Sequence, residues 1–383
     1  MGISETARME SAPKEGLDGV VVAETHLSQI DGERGRLVVR GHDVEELAGH
    51  ATYEDGLALL FGGALPGARE WEAVRAELAA AREGAFARLA QLGGALDADD
   101  GMDALRAAIA HLTATGAPRD ERFRLAGAAA VFAAAWARLR RGEAPIPPDP
   151  ALGQAADLLR MLAGEPPDAA RAAALDTYLV TVAEHGMNAS TFTARVVAST
   201  RSDAVSIVLS ALGALKGPLH GGAPGPVLDM LDAIGEPARA ERWLEGEIDS
   251  GRRIMGLGHR IYRVRDPRAA VLERALVRLE RAGIASRYLG LPRAVERAAV
   301  DLLARRHPER RLDTNVEFYT AVLLDAIGLP RGLFTPVFAV ARIAGWLAHA
   351  DEQVREGRIL RPSQRYVGPL PASGGSARLA ASG

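Results

Sequence analysis

Apolar residues recur along this chain at intervals of three and four far more often than at intervals of two, and Ala, Leu and Arg fill most of the long stretches. That period and those helix-forming residues predict an all-α chain almost throughout. One segment near the start departs from it. THLSQIDGERGRLVVRGHD sets a turn-forming DGERG between two short half-apolar arms and predicts a small N-terminal β-hairpin. Breaks rich in Pro and Gly at RRGEAPIPPDPA (140–151) and AGEPPDAA (163–170) predict exposed connections. From about Pro369 the small polar run PLPASGGSARLAASG predicts a tail that is mobile or draped over a neighbour.

Three helix starts bear on chemistry. Asp266 followed by Pro267 is an N-cap and first-turn pair, and Val271, Leu272, Leu276 and Leu279 continue it as an apolar stripe ending at Gly283. Arg268 therefore falls in a first turn. Thr335 followed by Pro336 repeats the signature, and Phe338, Arg342, Trp346 and His349 then share one face of the helix it opens. An arginine on that partly apolar face needs a partner. Pro226 opens PVLDMLDAIG, which leaves His220 in a glycine-rich loop just before a positive helix end, whose dipole is expected to keep the ring neutral.

At 383 residues the chain exceeds what one core usually fills, so more than one domain is expected. A net charge of -3 leaves no basic excess for neutralising phosphates, which argues against nucleic acid as a partner. The absence of cysteine excludes disulfides, a thiolate nucleophile and Cys-ligated metal. The first sixteen residues carry no apolar run of signal-peptide length, and no later segment reads as a membrane span, so a soluble, cytoplasmic protein with no membrane contact is expected. MGISET matches the short myristoylation pattern, as chance alone would allow.

Three of the nine histidines sit in loops of small residues: AEHGMNAST around His185, GPLHGGAP around His220 and MGLGHRIYRVRDPRA around His259. Glycine beside a histidine uncovers the ring and the backbone N–H groups. Zinc is disfavoured because no HExxH pair and no cysteine exist. A dinucleotide fingerprint fails because Ile261 stands where the third glycine belongs, and neither a P-loop nor a GxSxG elbow is present. Acid–base chemistry by histidine and a carboxylate remains, with arginines to hold an anionic substrate. The carboxylate candidate is Glu317, flanked by Val316 and Phe318, where desolvation would raise its pKa. The competing reading makes Glu317 a first-turn residue favoured by the helix dipole.

LHGGAPGPVLDML, IMGLGHRIYRVRDPRA, TNVEFYTAVLLDAIGLP and FAVARIAGWLAHADEQ, in that order, resemble the short bacterial citrate synthases, and the likeness runs from GLDGVVVAETHLSQIDG to LRPSQRYVGP. The resemblance implies condensation of acetyl-CoA with oxaloacetate to citrate in the tricarboxylic acid cycle, with no metal and no cofactor, acetyl-CoA being a substrate. It implies a two-domain homodimer, with 1–219 and 329–383 forming the large domain and 220–328 a smaller one that closes over the substrates. His220 resembles the residue that hydrogen-bonds the thioester oxygen, His259 the one that polarises the ketone, and Glu317 the base. His185, Arg268 and Arg342 match residues that hold oxaloacetate carboxylates, and Asn188 lies in the same segment. Arg361 matches an arginine reaching in from the other subunit. The backbone at Ile254, Met255, Gly256, Leu257 and Gly258 resembles the loop around the CoA adenine, and Arg263 matches a phosphate-binding position.

Two departures stand out. The family's usual base is an aspartate in NVDF, where this chain has Glu317; some short bacterial members also carry NVEF. PGP follows HGGA where many members have an Asn-Glu pair. Misplacing a reacting group by about 1 Å costs roughly a hundredfold in rate. Two alternatives are therefore kept: a 2-methylcitrate synthase using propionyl-CoA, and a catalytically silent paralogue that binds CoA and oxaloacetate.

Overall fold

The computed structural model describes residues 15–369 apart from 18, 117, 222, 223, 285 and 289. The MGISET pattern and the tail beyond Pro369 lie outside the described residues. The expected hairpin forms: β1 (Ser28–Asp31) pairs antiparallel with β2 (Arg36–Val39), with Ser28 opposite Val39 and Asp31 opposite Arg36. It is longer than expected by one strand. Arg40 and Gly41 both adopt positive φ, the geometry of a two-residue hairpin turn, and bring β3 (His42–Asp43) back against β2.

Helices make up the rest. The first half of the chain gives α1 (Val44–Leu47), α2 (Tyr53–Gly62), α3 (Ala68–Ala87), α4 (Gly101–Ala110), α5 (Pro118–Leu139), α6 (Gln154–Ala163) and α7 (Ala169–Ala183). After them come α8 (Ala189–Ser199), α9 (Ala204–Leu215), α10 (Pro224–Ile234), α11 (Ala240–Asp249), α12 (Pro267–Arg281), α13 (Leu291–Arg306), α14 (Val316–Ala326) and α15 (Phe334–Glu356). The first Pro- and Gly-rich break joins α5 to α6 and alternates between exposed and half-buried positions; the second joins α6 to α7 and is mostly exposed.

The axis of the molecule is α15, which packs against α2, α4, α5, α7, α8 and α9. One sequence expectation fails here. The run Arg331–Glu356 is long and apolar enough to cross a membrane, yet 89% of its most apolar window is buried inside the protein. Its neighbours are apolar helices, so the surroundings that favour this composition are other parts of the same chain. The start of α15 also differs from expectation. A short 3-10 turn at Arg331–Leu333 feeds straight into the helix at Phe334, and Thr335, which was expected to cap it, instead donates its hydroxyl to the Gly221 carbonyl at 2.9 Å.

Close approach fixes one glycine of α15. A Cβ on Gly345 would lie 2.3 Å from the Ala183 carbonyl oxygen and 2.7 Å from Glu184 Oε2, so only glycine lets α15 press against the end of α7. By contrast, α12 follows its expectation: Asp266 caps it, Pro267 fills the first position, and Val271, Leu272, Leu276 and Leu279 are buried. Gly283 ends it with φ +82°. The helix expected from Pro226 begins two residues earlier, at Pro224.

Candidate active site

Two helix starts meet through one carboxylate. Asp266 accepts the N–H of Arg268 at 3.0 Å, caps α12, and binds the Arg268 guanidinium through both oxygens, at 3.0 Å to Nε and 2.7 Å to Nη2. Its Oδ2 also accepts the N–H of Val316 at 3.2 Å, so the first turn of α14 is pinned to that of α12. Asn315 caps α14 by accepting the Glu317 N–H at 3.0 Å and donates its amide to the Gly258 carbonyl at 2.8 Å. Glu317 is therefore a first-turn residue, as the competing sequence reading held, and it also faces a cavity.

That cavity, of about 630 Å³, is lined by His185, Asn188, His220, His259, Arg268 and Glu317 among others. Glu317 is open to the cavity and otherwise enclosed by protein. Desolvation pushes its carboxyl up to about 7, with Asp266 adding to the rise and the Arg268 and Arg342 charges opposing it. Arg268 is held above its ordinary value, because the Asp266 charge and hydrogen bond outweigh burial.

The three loop histidines are neutral near pH 7. Burial holds His220 down at about 4, with Arg342 adding to the effect. The sequence suggested the helix dipole as the cause; desolvation and a neighbouring cation take that role here. His259 is also held at about 4 by burial and by Arg268, and His185 lies well below its ordinary value through burial and both arginines. The backbone N–H groups of Ile261 and Tyr262 each donate to His259 Nδ1 at 3.0 Å. A neutral ring that accepts at Nδ1 carries its proton on Nε2, so His259 offers an N–H donor.

His220 has a partner that the sequence did not reveal. Its Nε2 lies 2.8 Å from Ser190 Oγ, which accepts from Trp346 Nε1 at 3.1 Å and donates to Asn188 Oδ1 at 2.8 Å. Ser190 has one proton, which here goes to Asn188 Oδ1; when the hydroxyl turns it to Nε2 instead, the imidazole keeps its own proton on Nδ1. Nothing in HGMNAST marks Ser190 apart from neighbouring small polar residues. Asn188 lines the cavity, but its amide is occupied locally, capping α8 at the Thr191 N–H and donating to the Gly186 carbonyl.

Arg342 is completely buried on α15 and is not itself a lining residue of the cavity, although Val182 and Phe338 beside it are. Its Nε donates to the Val182 carbonyl at 2.6 Å, while Nη1 and Nη2 are buried with no hydrogen-bond partner among the described residues, and its guanidinium stacks 4.6 Å from the ring of cavity-lining Phe338. Burial lowers its pKa to about 10. An unfilled buried fork of two donors fits a bidentate carboxylate.

Other expected residues lie elsewhere. Arg361 is exposed and outside this cavity, on a segment anchored where the Leu360 N–H meets Ser199 Oγ at 3.0 Å. Arg263 is exposed, with its backbone N–H donated to the Gly32 carbonyl at 2.9 Å. The strip Ile254–Gly258 runs against 313–315: the Gly258 N–H meets the Asp313 carbonyl at 2.8 Å, and the Asn315 N–H meets the Gly256 carbonyl at 2.9 Å. The strip thus abuts the helix start that carries Glu317, without lining the cavity. Among the described residues no His, Asp and Glu cluster has the form of a metal site.

Comparison with known proteins places these features in a family. The family model described as "Citrate synthase, C-terminal domain" matches residues 16–363. A citrate synthase of Haloferax volcanii is 39% identical over 376 residues, covering 94% of this chain and 97% of that protein. A 2-methylcitrate synthase of Mycobacterium tuberculosis is 36% identical over 362 residues, covering 93% of this chain and 90% of its own. The solved structure of Thermoplasma acidophilum citrate synthase, a ternary complex with carboxymethyl coenzyme A and oxaloacetate, superposes with a TM-score of 0.81 at 27% identity, covering 93% of this chain and 96% of that one.

Proposed function

Since this chain belongs to the citrate synthase family of acyltransferases, we propose that it condenses acetyl-CoA with oxaloacetate and water to give citrate and CoA, the entry step of the tricarboxylic acid cycle. The observation that carries this reading is the enclosure of Glu317, with its raised pKa, in one cavity with two neutral imidazoles, His220 and His259.

The chemistry follows from those states. Glu317 takes a proton from the acetyl methyl carbon, leaving an enolate whose oxygen needs a donor already in place. His220 supplies it through Nδ1–H once Ser190 turns its proton from Asn188 Oδ1 to His220 Nε2. The enolate carbon attacks the oxaloacetate ketone, whose oxygen takes the proton on His259 Nε2 and becomes the citrate hydroxyl, and the methyl proton held by Glu317 makes good the one that His259 gives. Neutral imidazoles stabilise both oxygens without trapping a full proton in the wrong place. His185, Arg268 and the empty fork of Arg342 hold the oxaloacetate carboxylates, with Asn188 shaping the loop beneath them. Water then hydrolyses the citryl thioester and releases CoA, whose adenine lies by the Ile254–Gly258 strip and whose phosphates meet Arg263. Residues 220–328 form the smaller domain, which closes over the substrates and excludes water. The residues present supply every role without a cofactor, and the setting is the cytoplasm.

The decisive assay is thiol release from acetyl-CoA with and without oxaloacetate. Release that requires oxaloacetate supports the condensation; binding of both without release identifies a silent paralogue. The 2-methylcitrate synthase relative makes propionyl-CoA the second substrate to test. One methylene is worth about 1 to 3 kcal/mol in a pocket, so the ratio of kcat/KM for the two acyl-CoAs decides between them.

The pH profile tests the base. Glu317 acts only when ionised, so kcat/KM is expected to rise as pH increases through about 7 and to level off above it. His220 and His259, at about 4, do not titrate in that window. A profile flat from pH 6 to 8 removes Glu317 as the base.

Exposed Arg361, absent from its own chain's cavity, belongs to the partner's site in a homodimer. Arg361→Ala is expected to raise the oxaloacetate KM, and mixing it with inactive Arg268→Ala subunits to restore part of the activity. Mixed dimers without recovery would argue for sites built within one chain.

A further inference from the structure

The condensation leaves a fully buried carboxylate beside the site without a part. Glu184, directly before His185, is 1% exposed, and its Oε1 accepts from Ser28 Oγ at 2.8 Å and from the Gly186 N–H at 2.6 Å. The same oxygen lies 3.0 Å from His349 Nε2, and His349 Nδ1 lies 3.0 Å from Arg195 Nη1. A guanidinium can only donate, so Nδ1 accepts and the His349 proton sits on Nε2, aimed at Glu184. Arg195 continues the relay to Glu352 Oε2 at 3.2 Å and to Gln353 Oε1 at 3.0 Å, and all of these side chains are buried.

The second oxygen behaves differently. Among the described residues Glu184 Oε2 is buried with no hydrogen-bond partner, and Arg342, whose Nη1 and Nη2 are likewise buried without one, is among the positive charges acting on this carboxylate. Gly345, three residues beyond Arg342 on α15, is what allows α15 to approach this oxygen. A buried charge with an idle oxygen is expensive unless another charge answers it.

We infer that Glu184 is a positioning residue for oxaloacetate: its carboxylate sets the turn that carries His185 and supplies the counter-charge that keeps the Arg342 fork aimed at the substrate. The inference rests on the reading that Arg342 receives an oxaloacetate carboxylate. Ser28 of β1, the Gly186 N–H and the His349–Arg195 relay fix Glu184 through Oε1 and leave Oε2 to act on Arg342. Bound oxaloacetate then satisfies the two donors that the free protein leaves open.

The test is steady-state kinetics with acetyl-CoA and oxaloacetate on folded full-length variants. Glu184→Gln keeps the shape and the Oε1 contacts but presents an amide in place of the anion. It is expected to raise the oxaloacetate KM by roughly tenfold to a hundredfold, the worth of a charged hydrogen bond between a misaimed Arg342 and the substrate carboxylate, with kcat within about threefold and the acetyl-CoA KM unchanged. His349→Gln retains an acceptor for Arg195 and a donor for Glu184 and is expected to match the wild type, whereas His349→Leu is expected to raise the oxaloacetate KM. An unchanged oxaloacetate KM in folded Glu184→Gln overturns the inference, as does a fall in kcat with KM constant. If Glu184→Gln does not fold, equal KM values for His349→Gln and His349→Leu overturn it. Arg342→Leu is measured alongside: an unchanged KM there sinks the Arg342 assignment itself, whereas a raised KM there with a normal Glu184→Gln sinks only the role of Glu184.

Discussion

Glu317→Gln is expected to lower kcat by about a hundredfold to ten-thousandfold, the usual worth of a positioned general base, while oxaloacetate binding measured by calorimetry stays close to wild type. The substitution keeps the side chain's length and leaves the first turn of α14 capped by Asn315, whose acceptor contacts the backbone N–H at position 317. Only the capacity to take a proton is removed. Replacing the buried carboxylate by a neutral amide should also cost little stability, since burial already works against its ionised form. Thiol release near the wild-type rate would end the assignment of Glu317 and point to another acceptor for the methyl proton.

Asp266→Ala is expected to destabilise the protein by about 3 to 5 kcal/mol, because it strands the buried Arg268 guanidinium without its partner. The same change removes the cap of α12 and the acceptor for the Val316 N–H, adding about 1 kcal/mol for the cap. Urea denaturation checks it: the midpoint should fall with little change in slope. Asp266→Asn separates charge from hydrogen bonding. It removes a charge that raises the Glu317 pKa, so the rising limb of its pH–rate profile is expected to move to lower pH. A loss below 1 kcal/mol in Asp266→Ala would mean that Arg268 finds another counter-ion.

Local signals carried the sequence reading a long way where chemistry and backbone share the same few residues. Asp266, Pro267 and Arg268 could be placed on a helix start because capping is a property of adjacent residues, and α12 begins there. The apolar flanks of Glu317 implied desolvation, and Val316 and Phe318 are indeed buried beside it. The second task of Asp266 was invisible, because its bond to Val316 joins segments fifty residues apart and no local pattern encodes it. For the same reason the dipole was credited with keeping His220 neutral: the cation that helps do so, Arg342, is brought near only by α15 crossing the core. Thr335 looked like a cap, but its hydroxyl found the Gly221 carbonyl once the chain had folded back on itself. The apolar character of α15 was underread as well, because its polar residues, Arg342, His349 and Glu352, are spaced widely enough to leave a long greasy window.

The central place of α15 shapes how the polypeptide is made. Six helices that surround it, from α2 to α9, leave the ribosome before it does, so the faces they turn toward α15 stay uncovered until Phe334–Glu356 has been synthesised. Nascent chains of this protein therefore present a sticky, incomplete bundle, a natural client for holding chaperones, and ribosome stalling before Phe334 should yield a chain that proteases clear quickly.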